Sequence, residues 1–118
     1  MPGKAVRAHH GNAAYDLANP VTLRGVVTEF AWSNPHVQIY FDAKDGKGKL
    51  THWAAETVSP GMLSRSGWSK DELKHGDTIT IRIGPAKNGA PIGYALNVVL
   101  ANGKELQLGQ GRDTQYSP

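Results

Sequence analysis

From residue 21 to residue 108, apolar positions recur with a period of two inside short runs, and clusters of Gly, Pro, Asn and Asp punctuate those runs. The pattern predicts strands joined by turns rather than long helices. In the first run Val21 and Leu23 share one parity and Val26, Phe30 and Trp32 the other, with the switch at Gly25. A glycine at such a switch marks a bulge or sharp bend. A bent strand can pair with two sheets at once, which is how a small Greek-key barrel closes. After the turn Ser33-Asn34-Pro35-His36, the residues Val37, Ile39 and Phe41 alternate with Gln38, Tyr40 and Asp42 as a half-buried strand. A third strand over residues 50–57 puts Trp53 and Ala55 on one face and His52, Ala54 and Glu56 on the other. Ile79, Ile81 and Ile83 face inward in a fourth, and Tyr94, Leu96, Val98 and Leu100 share one parity in a fifth.

Helical signals are confined to the stretch between the third and fourth strands. Ser59 followed by Pro60 is an N-cap with proline at the first helical position, and Gly67 closes a short helix over residues 60–66 that carries Met62 and Leu63. Ser69-Lys70-Asp71-Glu72 fits a capping box and predicts one more helical turn. Residues 84–93 read as a loop, and Asn102-Gly103 turns the chain into a short ribbon over residues 105–108. Three strands, a helix, two strands and a ribbon make an all-β protein, an OB-type five-stranded Greek-key barrel with one short helix between strands 3 and 4. An Ig-like sandwich would want about seven strands and no mid-chain helix. The organisation read from this is a flexible N-terminal arm over residues 1–19, an OB-like barrel domain over 20–108 and a flexible tail over 109–118. In the arm, only Tyr15 and Leu17 have the bulk to dock on a core.

Composition narrows the chemistry. At 118 residues the chain can bury a core without disulfide or metal staples, so a metal, if bound, is functional rather than structural. With no cysteine, thiol catalysis and thiolate metal sites are excluded. The net charge of +3 comes from scattered Lys and Arg, weak grounds for a polyanion partner, and a nucleic acid is not expected. No stretch has the length of a membrane-spanning segment, and residues 1–8 lack the apolar run of a signal peptide. Hydrolase elbows, phosphate-binding loops and zinc-protease motifs are missing, so the chain reads as a non-enzyme.

Histidine is the chemically pointed residue type. His9, His10 and His36, with Glu56 and His52 as additions, could hold copper or zinc, because neutral imidazoles suit both ions and a site needs three or four converging donors. In that reading His9 and His10 supply donors, His36 fixes the geometry, and Glu56 adds an oxygen or orients a ring. The plainer reading leaves the histidine pair in solvent, His36 in a turn and Glu56 paired with Arg65 or Lys70. A second class of function uses Trp32, Trp53, Trp68 and Tyr40 as a stacking face for a polymer, an oligosaccharide or nucleic acid, or for a protein partner. Against it, tryptophans in a small barrel mostly fill the core.

Several motifs together resemble a known family. His9-His10, Pro20-Val21-Thr22-Leu23-x-Gly25, Trp32-x-Asn34-Pro35-His36 and Trp53-x-x-Glu56 come first. Ser59-Pro60, Leu63, Gly67-Trp68 and Leu73-x-x-Gly76-Asp77 follow, in the order and spacing of DUF6152, small exported bacterial proteins of unknown function. The resemblance implies a periplasmic address and a mature protein starting near the histidine pair. It implies no reaction.

Overall fold

The computed structural model describes residues 14–108. The alternation seen in sequence becomes six strands: β1 (Val21–Ala31), β2 (Gln38–Lys44), β3 (Leu50–Glu56), β4 (Thr78–Pro85), β5 (Ile92–Leu100) and β6 (Glu105–Gln107). Helix α1 (Pro60–Arg65) lies between β3 and β4. The sheet runs β3-β2-β1-β4-β5-β6, and a parallel pairing of β3 with β5 closes it. That pairing makes β1 to β5 a closed barrel of OB type, with β6 as an extension of β5.

Where period-two alternation is unbroken, burial follows it. Val37, Ile39 and Phe41 are buried, as are Ala55 on β3 and Ile79, Ile81 and Ile83 on β4. They meet Val27, Val98 and Leu63 in one core, and Trp53 stacks on Phe41 with ring centroids 6.3 Å apart. Helix α1 plugs the barrel with Leu63. Its first turn is capped by the Ser59 hydroxyl, which accepts from the Met62 amide at 3.2 Å, and its last carbonyls bond Ser66 and Trp68. Residues 69–72 form a turn and not the expected helical one: Glu72 Oε2 is 2.9 Å from Lys104 Nζ instead of reaching back to Ser69.

Two parity expectations are corrected, both by bulges. In β1 the register runs unbroken through Gly25, and the extra residue is Thr28, because Val27 and Glu29 pair with the consecutive residues Phe41 and Tyr40. Leu23, Gly25 and Val27 therefore turn inward, and Val26 is 44% exposed rather than buried. In β5 the consecutive residues Arg82 and Ile83 pair with Asn97 and Ala95, which makes Leu96 the extra residue. Ala95 and Val98 enter the barrel core, and Tyr94 and Leu96 turn outward. The 84–93 loop is also shorter than expected, since β4 runs to Pro85 and β5 starts at Ile92.

Gly25 keeps a different role from the one its position in the pattern suggested. It pairs with Ala43 on β2 and Ile79 on β4, where β1 passes from one neighbour to the other. A Cβ there would lie 2.6 Å from the Asp42 carbonyl oxygen and 2.7 Å from the Phe41 ring. The first contact is backbone, which cannot swing aside. Gly25→Ala is expected to lower stability by about 1–3 kcal/mol through overpacking, with a fall in thermal midpoint of roughly 4–8 °C per kcal/mol. An unchanged midpoint in a calorimetric scan would contradict the close approach.

Candidate functional site

A second, smaller cluster sits outside the barrel. Tyr15, Ala86 and Tyr94 are buried together, with Leu17, Ala90, Ile92 and Leu96 packed around them. Tyr15 forms an isolated bridge with Ala86, and the Asp16 amide donates to the Pro85 carbonyl at 2.8 Å. Tyr15 and Leu17, the two residues able to dock, thus tie the leading segment to the β4–β5 end.

This cluster explains why Glu56 is only 7% exposed although it lies on the outer face of β3, on the parity of His52 and Ala54. Its register partner across the parallel ladder is Tyr94, and Tyr15 closes over it. A buried carboxylate must be hydrogen-bonded or paired. Glu56 is both: Oε1 accepts from the Tyr15 hydroxyl at 3.0 Å, and Oε2 lies 2.5 Å from His36 Nδ1. His36 reaches it because Gln38 is the register partner of Glu56, so His36, two residues earlier, is a diagonal neighbour on the same face. The corner is pinned by the Val37 amide donating to Val58, by the Thr57 amide donating to Val37 and by the Thr57 hydroxyl donating to the same carbonyl at 2.7 Å. Asn34 and Pro35 precede it through a cis peptide bond.

The structure therefore joins two of the singled-out residues, His36 and Glu56, and adds Tyr15, which the sequence reading treated only as a docking aromatic. Glu56 pairs with neither Arg65 nor Lys70. The Tyr15–His36–Glu56 arrangement leaves His36 Nε2 facing away from the carboxylate, on a side chain 44% exposed. His9 and His10 lie outside the described residues. Among the described residues no three His, Asp or Glu side chains converge as a metal cage. His52 is occupied elsewhere, its Nδ1 2.5 Å from Asp42 Oδ1, its register partner on β2. Of the aromatic face, Trp68 is 3% exposed, and Trp32 and Trp53 pack against the core.

Burial pushes the Tyr15 phenol above its ordinary range, and the charge and hydrogen bond of Glu56, then Tyr94, add to the push. The folded state therefore keeps a proton that the unfolded chain releases above about pH 10. Stability from Tyr15 is fully present below that pH and is lost as pH rises through the higher folded value. Tyr15→Phe removes the donor to a buried carboxylate and is expected to cost about 1–3 kcal/mol at neutral pH. It should also flatten the loss of stability above pH 10. Urea melts of both proteins at pH 7 and pH 10.5 check this: a variant as pH-sensitive as the parent would place the alkaline titration elsewhere.

Among the described residues no helix is long and apolar enough to cross a membrane. No curated protein and no solved structure matches the chain. The model of a family of unknown function, DUF6152, matches residues 2–95, most of the sequence, and the chain therefore belongs to that family.

Proposed function

We propose that this protein is a non-enzymatic binding module that holds a copper or zinc ion at the His36 pole of its barrel, as a periplasmic carrier or sequestering protein. The observation that carries the reading is the Glu56–His36 contact. A carboxylate on one ring nitrogen of histidine fixes the ring and its tautomer and raises the basicity of the other nitrogen, the usual support behind a metal-binding imidazole. Here the carboxylate is itself tied by Tyr15, so the ring is held from two shells back. A ring held only to stiffen a turn would not need a buried charge behind it.

One imidazole does not make a site, and His9 and His10 supply the remaining donors in this proposal. His10 precedes Tyr15 by five residues, so at roughly 3.3 Å per extended residue the chain allows about 17 Å between them. Tyr15 in turn touches the carboxylate that touches His36. Imidazole donors with an open position suit both copper and zinc. The periplasmic address is the one that the resemblance of the sequence motifs implies.

Calorimetric titration of the full chain with Cu(II) and Zn(II) tests this. One ion is expected to bind per chain. His36→Ala and the double variant His9→Ala/His10→Ala should each weaken binding at least tenfold, and Glu56→Gln by about 10- to 100-fold, the usual cost of losing an orienting partner. If His36→Ala binds as well as the parent, any metal belongs to the leading histidines alone and the barrel has no part in it.

A further inference from the structure

Strand β3 is paired along its whole length on one side only. On the other side β5 covers it from Ala54 to Glu56, and among the described residues no strand lies beside Leu50 to Trp53. Backbone hydrogen bonds fix which groups are left over. The Asp45 amide donates to the Lys49 carbonyl at 2.9 Å, so the odd-numbered residues here turn their backbone toward β2. The Ala54 amide donates to the Pro91 carbonyl at 3.2 Å on the opposite side, so the even-numbered residues turn theirs away. Leu50 and His52 therefore present their N–H and C=O groups along the open edge.

Exposed strand edges are usually blunted by a proline, a bulge or a charged side chain. The run Leu50-Thr51-His52-Trp53 holds no proline, Lys, Arg, Asp or Glu, and its register with β2 is unbroken. Leu50 is also 49% exposed, more than Val21, Val26 or Met62. Strand β6, paired on one side, offers three residues and carries Glu105.

We propose that a second copy of this chain pairs on the β3 edge, antiparallel about a two-fold axis at Thr51. Leu50 of each copy then stands opposite His52 of the other, and each such pair exchanges both backbone bonds, four in all. Thr51 faces its own image, a cross-strand pair that hydroxyl side chains favour. Lys49 comes opposite Trp53, which stacks on Phe41, so the flanking cation meets an aromatic side chain and not another cation. Other registers of the same parity fail. An axis at His52 would set Leu50 against Ala54, whose amide is already bonded to Pro91, and an axis at Leu50 would set His52 against Gly48, whose φ of 84° leaves extended backbone. A strand of unrelated sequence would gain the same backbone bonds without the match of Lys49 to Trp53 at both ends. The edge is complementary to itself. A contact along four residues falls short of the roughly 1,000 Å² of a stable interface, so the dimer is a weak one. Metal binding at His36 plays no part, since Glu56 lies at the covered end of β3.

Sedimentation equilibrium of the full chain from about 10 μM to about 1 mM, with amide exchange followed by NMR at both concentrations, is the test. The mass is expected to rise toward twice that of one chain, and exchange to slow at the Leu50 and His52 amides. Leu50→Pro removes an outward donor at the first residue of a strand, where proline is tolerated, and Leu50→Lys places an edge lysine on an exposed position. Each is expected to weaken association about tenfold or more, the scale of two hydrogen bonds, with the parent's circular-dichroism spectrum retained. The proposal is overturned if the parent stays monomeric at about 1 mM, if either folded variant associates as the parent does, or if the mass doubles while protection rises elsewhere.

Discussion

The arrangement depends on one short contact, the parallel pairing of Ala54, Ala55 and Glu56 with Ile92, Gly93 and Tyr94. Without it the protein is an open sheet in which β3 and the first residues of β5 expose unpaired backbone. With it the barrel closes, and everything chemically notable on the outer surface gathers beside the seam. Closure needs bare backbone where the strands converge. A Cβ at Gly93 would lie 2.8 Å from the Gly84 carbonyl oxygen and 3.0 Å from the Ile83 side chain, so the β4–β5 end tolerates only glycine at that point.

The seam also explains how a carboxylate comes to be buried on an outward face. Parallel pairing sets Glu56 beside Tyr94, and the bulge at Leu96 turns Tyr94 outward to meet Tyr15. The leading segment then has a surface to lie on, and Leu17 fills the space that a side chain at Gly84 would take. Three local facts of backbone geometry thus produce one small cluster, and its single charge finds partners on the leading segment and on the β1–β2 corner.

The strands with unbroken alternation were legible, because in β2, β3 and β4 a period of two and burial on one face are the same statement. The bulges were not. An extra residue opposite one partner is fixed by pairing across strands, and neither Thr28 nor Leu96 carries a mark of it, whereas Gly25 carries the mark of a bulge and owes its identity to crowding instead. Legibility of the site was divided in the same way. His36 and Glu56 stood out by residue type, and their meeting follows from the β2–β3 register. Tyr15 stands out in the sequence as an aromatic able to dock, but nothing local assigns a partner to its hydroxyl. The available signal was that a phenol docking over an outward Glu would find an acceptor there, but that needs the seam between β3 and β5, which no local pattern reveals.

A buried carboxylate with its partners is weak grounds for stability, since well-packed apolar groups in its place often do as well or better. That makes the identity of residue 56 informative. Its partners Tyr15 and Tyr94 belong to a mainly apolar cluster, beside which an aliphatic side chain would leave no charge to satisfy. A carboxylate there instead requires a donor from Tyr15 and a ring nitrogen from His36, and removing either partner leaves the other side of the arrangement exposed to the full desolvation cost. What an aliphatic residue could not do is hold an imidazole in one orientation with its far nitrogen outward. Among the described residues the fold buries a carboxylate where it sets the direction of a surface histidine, and the proposal of a site at the His36 pole rests on that.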